Sequence, residues 1–175
     1  MVAAPPAPRL AFNGADLHYL RGALLALTDA RGASDVAAAE ASDPRVRALA
    51  RRAAATQAGD IRAITSLLVG WSQHEAVPAQ AAQVAPVTPP ASAASDLRSR
   101  TGLEVDLRFL EILTAHTEAS LASARTEMVE GFGGSSRRHA EAVSRTSWRE
   151  LTAISSLTPG RDRGVGRSWS PPDHS

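Results

Sequence analysis

Apolar side chains recur along this chain at the period of an α-helix, in four separate stretches. Leu17, Leu20, Leu24 and Leu27 fall three, four and three residues apart, which predicts a first helix over about 13–41. Asn13 and Asp16 form a capping pair at its start. Gly32 costs about 1 kcal/mol relative to alanine in a helix interior and is the weak point of this helix, where it could kink or end early. Asp43-Pro44 opens a second helix running to about Trp71, because Asp caps well and Pro is tolerated at the first helical position. Its inward stripe is Val46, Leu49, Ala50, Ala53, Gln57, Ile61, Ile64, Leu68 and Trp71, with Gln57 as the polar exception.

The pattern then fades. Residues 75–95 are rich in Ala, Gln, Val and Ser and carry Pro78, Pro86, Pro89 and Pro90, which predicts a flexible linker. Thr101 and Glu104 fit a capping box for a third helix reaching about Glu130, with Phe109, Leu110, Leu113, His116, Leu121 and Ala124 along it. Gly131, Gly133 and Gly134 break it. A fourth helix follows over about 135–157, facing Ala140, Val143, Ser147, Leu151 and Ile154 inward. The Pro-rich lead, 1–12, and the polar tail, 158–175, are expected to be disordered.

The second pair of helices repeats the first. Asp16-Leu17-His18-Tyr19-Leu20 returns as Asp106-Leu107-Arg108-Phe109-Leu110, a fixed offset of 90 residues (106 − 16 = 90). Thr56, Asp60-Ile61, Ala63-Ile64 and Ser66-Leu67 return at the same offset as Thr146, Glu150-Leu151, Ala153-Ile154 and Ser156-Leu157. Two helical hairpins, each apolar on one side, bury those sides by packing together. The expected fold is therefore all-α: an antiparallel four-helix bundle in one domain over 13–157, with unit one at 13–74 and unit two at 96–157.

Composition adds mostly exclusions. The formal net charge of +1 gives no electrostatic case for nucleic acid or an anionic membrane. No apolar run approaches the length of a membrane span. Without Cys there is no disulfide, thiolate metal site or Cys nucleophile. The start of the chain lacks the basic and apolar regions of a signal peptide, so as written the chain reads as cytoplasmic.

Residues 12–157 resemble domain-of-unknown-function family 305, whose members carry a ferritin-like four-helix domain and are often exported from bacteria. The resemblance rests on Asp16-Leu17-His18-Tyr19-Leu20, on Asp43-Pro44-Arg45-Val46-Arg47-Ala48-Leu49-Ala50, on Gln57-Ala58-Gly59-Asp60-Ile61 and on Gly102 to Leu110. The family pattern has a Met and a His-His pair on the first helix of each unit, suspected copper ligands in some members. Here the Met positions hold Ala23 and Leu113, and the paired positions hold Ala26-Leu27 and His116-Thr117. The resemblance thus implies one surviving ligand position, His116. The Gln of the second helix is Gln57 in unit one and Ser147 in unit two.

The residues alone offer little further chemistry. His116 has no second imidazole, thioether or carboxylate at a supporting spacing, and is read as a vestigial histidine hydrogen-bonded within the bundle. A di-iron centre needs Glu-x-x-His on two helices, and the chain contains none. His18, His74, His139 and His174 read as solvated. Arg45, Arg47, Arg51, Arg52, Arg137, Arg138, Arg145 and Arg149 read as a solvated outer face, the alternative being a dock for an acidic partner. Gln57 is expected to hydrogen-bond Thr28, Thr117 or a buried water, because a stranded buried amide costs roughly 1–3 kcal/mol. No Gly-x-Ser-x-Gly or phosphate loop occurs. The expectation is a non-catalytic bundle with a structural or interaction role, an unidentified protein partner and no cofactor; the alternative is copper handling in the bacterial envelope, through His116.

Overall fold

Asn13 starts the first helix as its sequence requires: its side chain accepts from the Asp16 N–H while the Asp16 side chain accepts from the Asn13 N–H. The structure, a computed structural model, describes residues 12–74 and 92–158. The helices are α1 (Gly14–Glu40), α2 (Pro44–His74), α3 (Ala93–Arg98), α4 (Leu103–Glu130) and α5 (Gly134–Ser155). The all-helical bundle of two hairpins expected from the sequence is present, and the described residues contain no strand. The lead 1–11, residues 75–91 and the tail 159–175 lie outside the described residues.

Local departures from the sequence reading have packing causes. Phe12, assigned to the flexible lead, is buried, its ring stacked on Trp71 at 4.2 Å and 11°. α1, by contrast, runs through Gly32 to Glu40, in agreement with the helix expected over about 13–41. A Cβ at Gly32 would meet the Ala94 Cβ at 3.3 Å, so the missing side chain lets α3 lie close against α1. α3 itself, capped by Ser92, was not expected; it buries Ala94 and Leu97 where a linker was drawn to residue 95. The Thr101–Glu104 capping box does not form. α4 starts instead from Gly102, whose φ of 59° is a left-handed conformation that glycine adopts without penalty.

Short links at 41–43 and 131–133 make each hairpin antiparallel. α1 packs on α2, α5 on α4, and α1 on α4, whereas α2 and α5 scarcely touch. Two reciprocal caps fix how the hairpins meet. The buried Asp16 carboxylate on α1 accepts from Phe132 N at 3.3 Å, Gly133 N at 2.9 Å and the Ser136 hydroxyl, all at the start of α5. The Asp106 carboxylate on α4 accepts from Ser42 N at 2.7 Å, Asp43 N at 2.9 Å and the Ser42 hydroxyl, at the start of α2. Ser42 and Asp43 correspond through the repeat to Phe132 and Gly133. The duplication is therefore a pseudo-twofold in space, with each copy capping the other's second helix.

The apolar core divides in two. Val36, Val46, Leu49, Phe109, Leu113 and Ile154 form part of one cluster, and Tyr19, Leu20, Leu27, Ile64 and Ala140 part of the other. Beside the second lies Glu127, 2% exposed, its carboxyl neighbouring Asp16 and Ser136. Burial pushes its pKa up to about 7, neighbouring Asp16 adds to the rise, and Ser136 opposes it. Its counterpart in the first copy is Ala37. Among the described residues no helix is long and apolar enough to cross a membrane.

Candidate functional site

Because α2 and α5 stand apart, the middle of the bundle holds a partly open cavity of about 540 Å³ bounded by α1, α2, α4 and α5. The pseudo-twofold places matching positions on its walls. Asp60 on α2 and Glu150 on α5 are one repeat apart, and so are Gln57 and Ser147, and Thr56 and Thr146; all six line the cavity. The positions matched above to the family's paired histidines, Ala26-Leu27 and His116-Thr117, line it too. Only His116 brings an imidazole to those four positions.

The polar groups are unevenly satisfied. The Thr117 hydroxyl lies 2.8 Å from a Glu150 carboxyl oxygen and 2.7 Å from the Leu113 carbonyl, and its single proton is shared between the two. The Tyr19 hydroxyl lies 2.9 Å from His139 Nδ1. Gln57 is 4% exposed, yet its Oε1 has no partner. The expected bond to Thr28 or Thr117 is absent because Thr28 donates back to Leu24 O at 2.7 Å and Thr117 is engaged with Glu150. His139 Nε2 is likewise buried and unpartnered. No ion pair among the described residues involves Asp60 or Glu150. Arg52 and Arg149 line the cavity with solvent-exposed side chains.

Burial acts on Asp60, Glu150, His116, His139 and Tyr19 in the same sense, against charge. It raises the pKa of Asp60, with His139 opposing, and that of Glu150, where Thr117 opposes and Asp60 adds to the rise. It lowers the pKa of His116 and His139, against the pull of Asp29 and Asp60 respectively. It raises that of Tyr19, with Glu127 and Asp60 adding to the rise. The cavity thus holds acids that resist ionising and imidazoles that resist protonation, with no buried cation to balance two carboxylates.

His116, expected to be hydrogen-bonded within the bundle, is half-buried on the cavity wall, and no hydrogen bond joins its side chain to another of the described residues. The expectation that His139 is solvated fails: it is half-buried, and the α1–α5 packing brings it to Tyr19. His18 is exposed as expected. The His74 side chain and His174 lie outside the described residues. The Arg positions on α2 and α5 are exposed apart from Arg47, which donates at 3.0 Å to Ser42 O and also to Ala41 O near the end of α1. Asp60, Glu150, Tyr19 and His139 were missed as a group; the recurrence of an acid at 60 and 150 was the available signal. As a copper centre the arrangement does not fit: among the described residues no three His, Cys, Asp or Glu side chains come together as an ion requires.

Comparison with known proteins agrees with the architecture. A solved structure from Streptomyces coelicolor, of a candidate secreted protein of family DUF305, superposes with a TM-score of 0.67 at 20% sequence identity, covering 82% of this chain and 89% of that one. The comparison with curated proteins gives no match. The model of the domain of unknown function DUF305 matches residues 28–158, from within α1 through the end of α5, and the chain belongs to that family.

Proposed function

We propose that this protein is a non-catalytic helical bundle with a binding role, its site being the central cavity between the two hairpins. The observation that carries the reading is the pairing of a cavity of about 540 Å³ with the buried, unpartnered Oε1 of Gln57 on its wall. That volume falls in the range of small-molecule sites, about 300–1,000 Å³. A stranded buried amide oxygen costs roughly 1–3 kcal/mol, and a ligand donor offsets that cost. Replacement of the family's paired histidines by Ala26, Leu27 and Thr117 leaves smaller side chains and fewer donors where a metal set is suspected in relatives.

The non-catalytic part rests on the site's chemistry. Tyr19–His139 is a hydroxyl–imidazole pair on the cavity wall, but burial keeps the phenol protonated rather than activating it. The copper alternative has no supporting donor set among the described residues. The likeness to a candidate secreted protein supports a working location outside the cytoplasm, against the cytoplasmic reading of the sequence.

The test blocks the cavity without touching its polar groups. Ala26→Trp is expected to abolish thermal stabilisation of the purified protein by small amphiphiles that stabilise the wild type. Equal stabilisation of both proteins overturns the reading. Stoichiometric copper after metal loading, lost in His116→Ala, replaces it with the metal reading.

A further inference from the structure

We infer that the cavity selects a small aliphatic amine in its cationic form, held by Asp60 and Glu150 with Gln57 Oε1 as an additional acceptor. The inference rests on the binding role proposed above and gives it a ligand class.

Two carboxylates from opposite copies line one partly open cavity, and among the described residues neither has an ion-pair partner. Acidic clusters on surfaces are common and mean little, but this one has an independent companion. Gln57 is 4% exposed, lines the same space and presents an acceptor with no donor. An ammonium group offers three donors and no acceptor, which complements two carboxylates and an amide oxygen. A carboxylate or phosphate ligand would instead meet like charge.

The remaining wall defines the rest of the ligand. Ala23, Leu27, Ala53, Ala119, Val143 and Ala153 are apolar and mostly small, which suits a short aliphatic body. His139 and His116 are held toward neutrality by burial, so neither imidazole supplies the missing positive charge. Arg52 and Arg149 reach solvent and form no ion pair with either acid.

Binding is therefore linked to protons. The groups facing the ammonium are Asp60 from α2, Glu150 and His139 from α5, His116 from α4 and Tyr19 from α1, with Arg52 and Arg149 at the margin. Burial biases both acids toward the protonated form in the free protein. A bound cation favours the ionised form, so amine binding releases protons and affinity rises with pH through the carboxylate range.

The experiment is calorimetric titration of the full chain with 1,4-diaminobutane and butylamine, beside neutral 1,4-butanediol and anionic butyrate. The expected result is binding of the amines alone, with proton release visible as a dependence of the heat on buffer ionisation enthalpy. Asp60→Asn and Glu150→Gln are each expected to weaken the amines at least tenfold. Ala26→Trp, which keeps both acids, is expected to abolish binding and so separates the cavity from non-specific attraction. Circular dichroism melts confirm that each variant folds. Equal binding of diol and amine overturns the charge selection and leaves the cavity reading standing. Amine binding that survives Ala26→Trp, or no binding of any of the four probes, overturns both.

Discussion

The carboxylate of Asp16 accepts the backbone N–H of Gly133 at 2.9 Å, joining the first turn of one hairpin to a helix start in the other, 117 residues away. The repeat makes the same contact in reverse, Asp106 to Asp43 N at 2.9 Å. A buried carboxylate at a helix N-terminus satisfies donors that the helix leaves open and faces the positive end of its dipole.

These contacts are expected to be the sites most sensitive to polar substitution in the fold. Asp16→Ala leaves Gly133 N and the Ser136 hydroxyl without their acceptor and is expected to cost on the order of 3 kcal/mol, the upper range for hydrogen bonds to a charged group. Asp106→Ala is expected to cost a similar amount, since Ser42 and Asp43 lose the equivalent bonds. Urea denaturation of both variants checks the symmetry; a loss in only one would show that the two caps are unequal. Burial raises the Asp16 pKa, but hydrogen bonds from Ser136, Asn13 and Gly133 outweigh it and hold the group below 3.8. With the folded value below the unfolded one, this stability is present above pH 3.8 and is lost as pH falls through the folded value. Acid denaturation of Asp16→Asn should lack that component.

Glu127 behaves oppositely. Its pKa of about 7 in the fold lies above the ordinary 4.5, so the folded protein holds a proton that the unfolded chain releases. Stability is accordingly greatest below pH 4.5 as regards this group, falls as pH rises to about 7, and is flat beyond. Glu127→Gln keeps the shape without the charge. It is expected to raise stability at pH 8 by on the order of 3 kcal/mol and to change it little at pH 4. Denaturant midpoints at the two pH values decide this; an equal change at both would remove the ionisation argument.

Gly131 follows from the same carboxyl. Its φ of −70° suits any residue, so conformational freedom does not explain it. A Cβ there would lie 2.3 Å from Glu127 Oε1 and 2.6 Å from the Glu127 carbonyl oxygen. Gly131→Ala is expected to cost about 1–3 kcal/mol through overpacking. Gly59→Ala, mid-helix with nothing within 4 Å of its Cβ, is expected to gain up to about 1 kcal/mol. Thermal melts of the pair compare contact with propensity directly; a stabilised Gly131→Ala would contradict the close packing.

The sequence carried the helices because their signals are local. The Leu17–Leu27 stripe, the Asn13–Asp16 box and Asp43-Pro44 each act within a few residues, and each lies where it was expected. What escaped was tertiary. α3 is too short for a periodic signal, and it stays helical by burying Ala94 and Leu97 against α1, close to the Gly32 that read as a weak point. Thr101 and Glu104 made a plausible box, but the chain turns through Gly102 and leaves both exposed. Asp16 and Asp106 were visible as a repeated pair, while their crossing between hairpins was not, because each partner lies beyond any local window. The site divides along the same line. His116 and Gln57 were singled out by residue type on a helix face; His139 became a wall residue only through packing against Tyr19.

Gln57 tests the cavity from the side of stability. A buried amide calls for partners, and Oε1 has none among the described residues while standing on a cavity wall. A buried acceptor left without a donor destabilises the fold it belongs to. Gln57→Leu removes the stranded acceptor at similar length and is expected to stabilise the free protein by about 1 kcal/mol. Its repeat partner, Ser147, contributes a smaller side chain to the same wall, so the extra carbon branch of Leu has room to settle. The same variant is expected to lose amine binding measurably, because the ammonium forfeits one acceptor. Gain in stability together with loss of binding is what separates a group kept for a ligand from one kept for packing. A Gln57→Leu protein that is destabilised by more than about 2 kcal/mol would mean that the amide is already satisfied in the free protein, and the binding role would lose its main support.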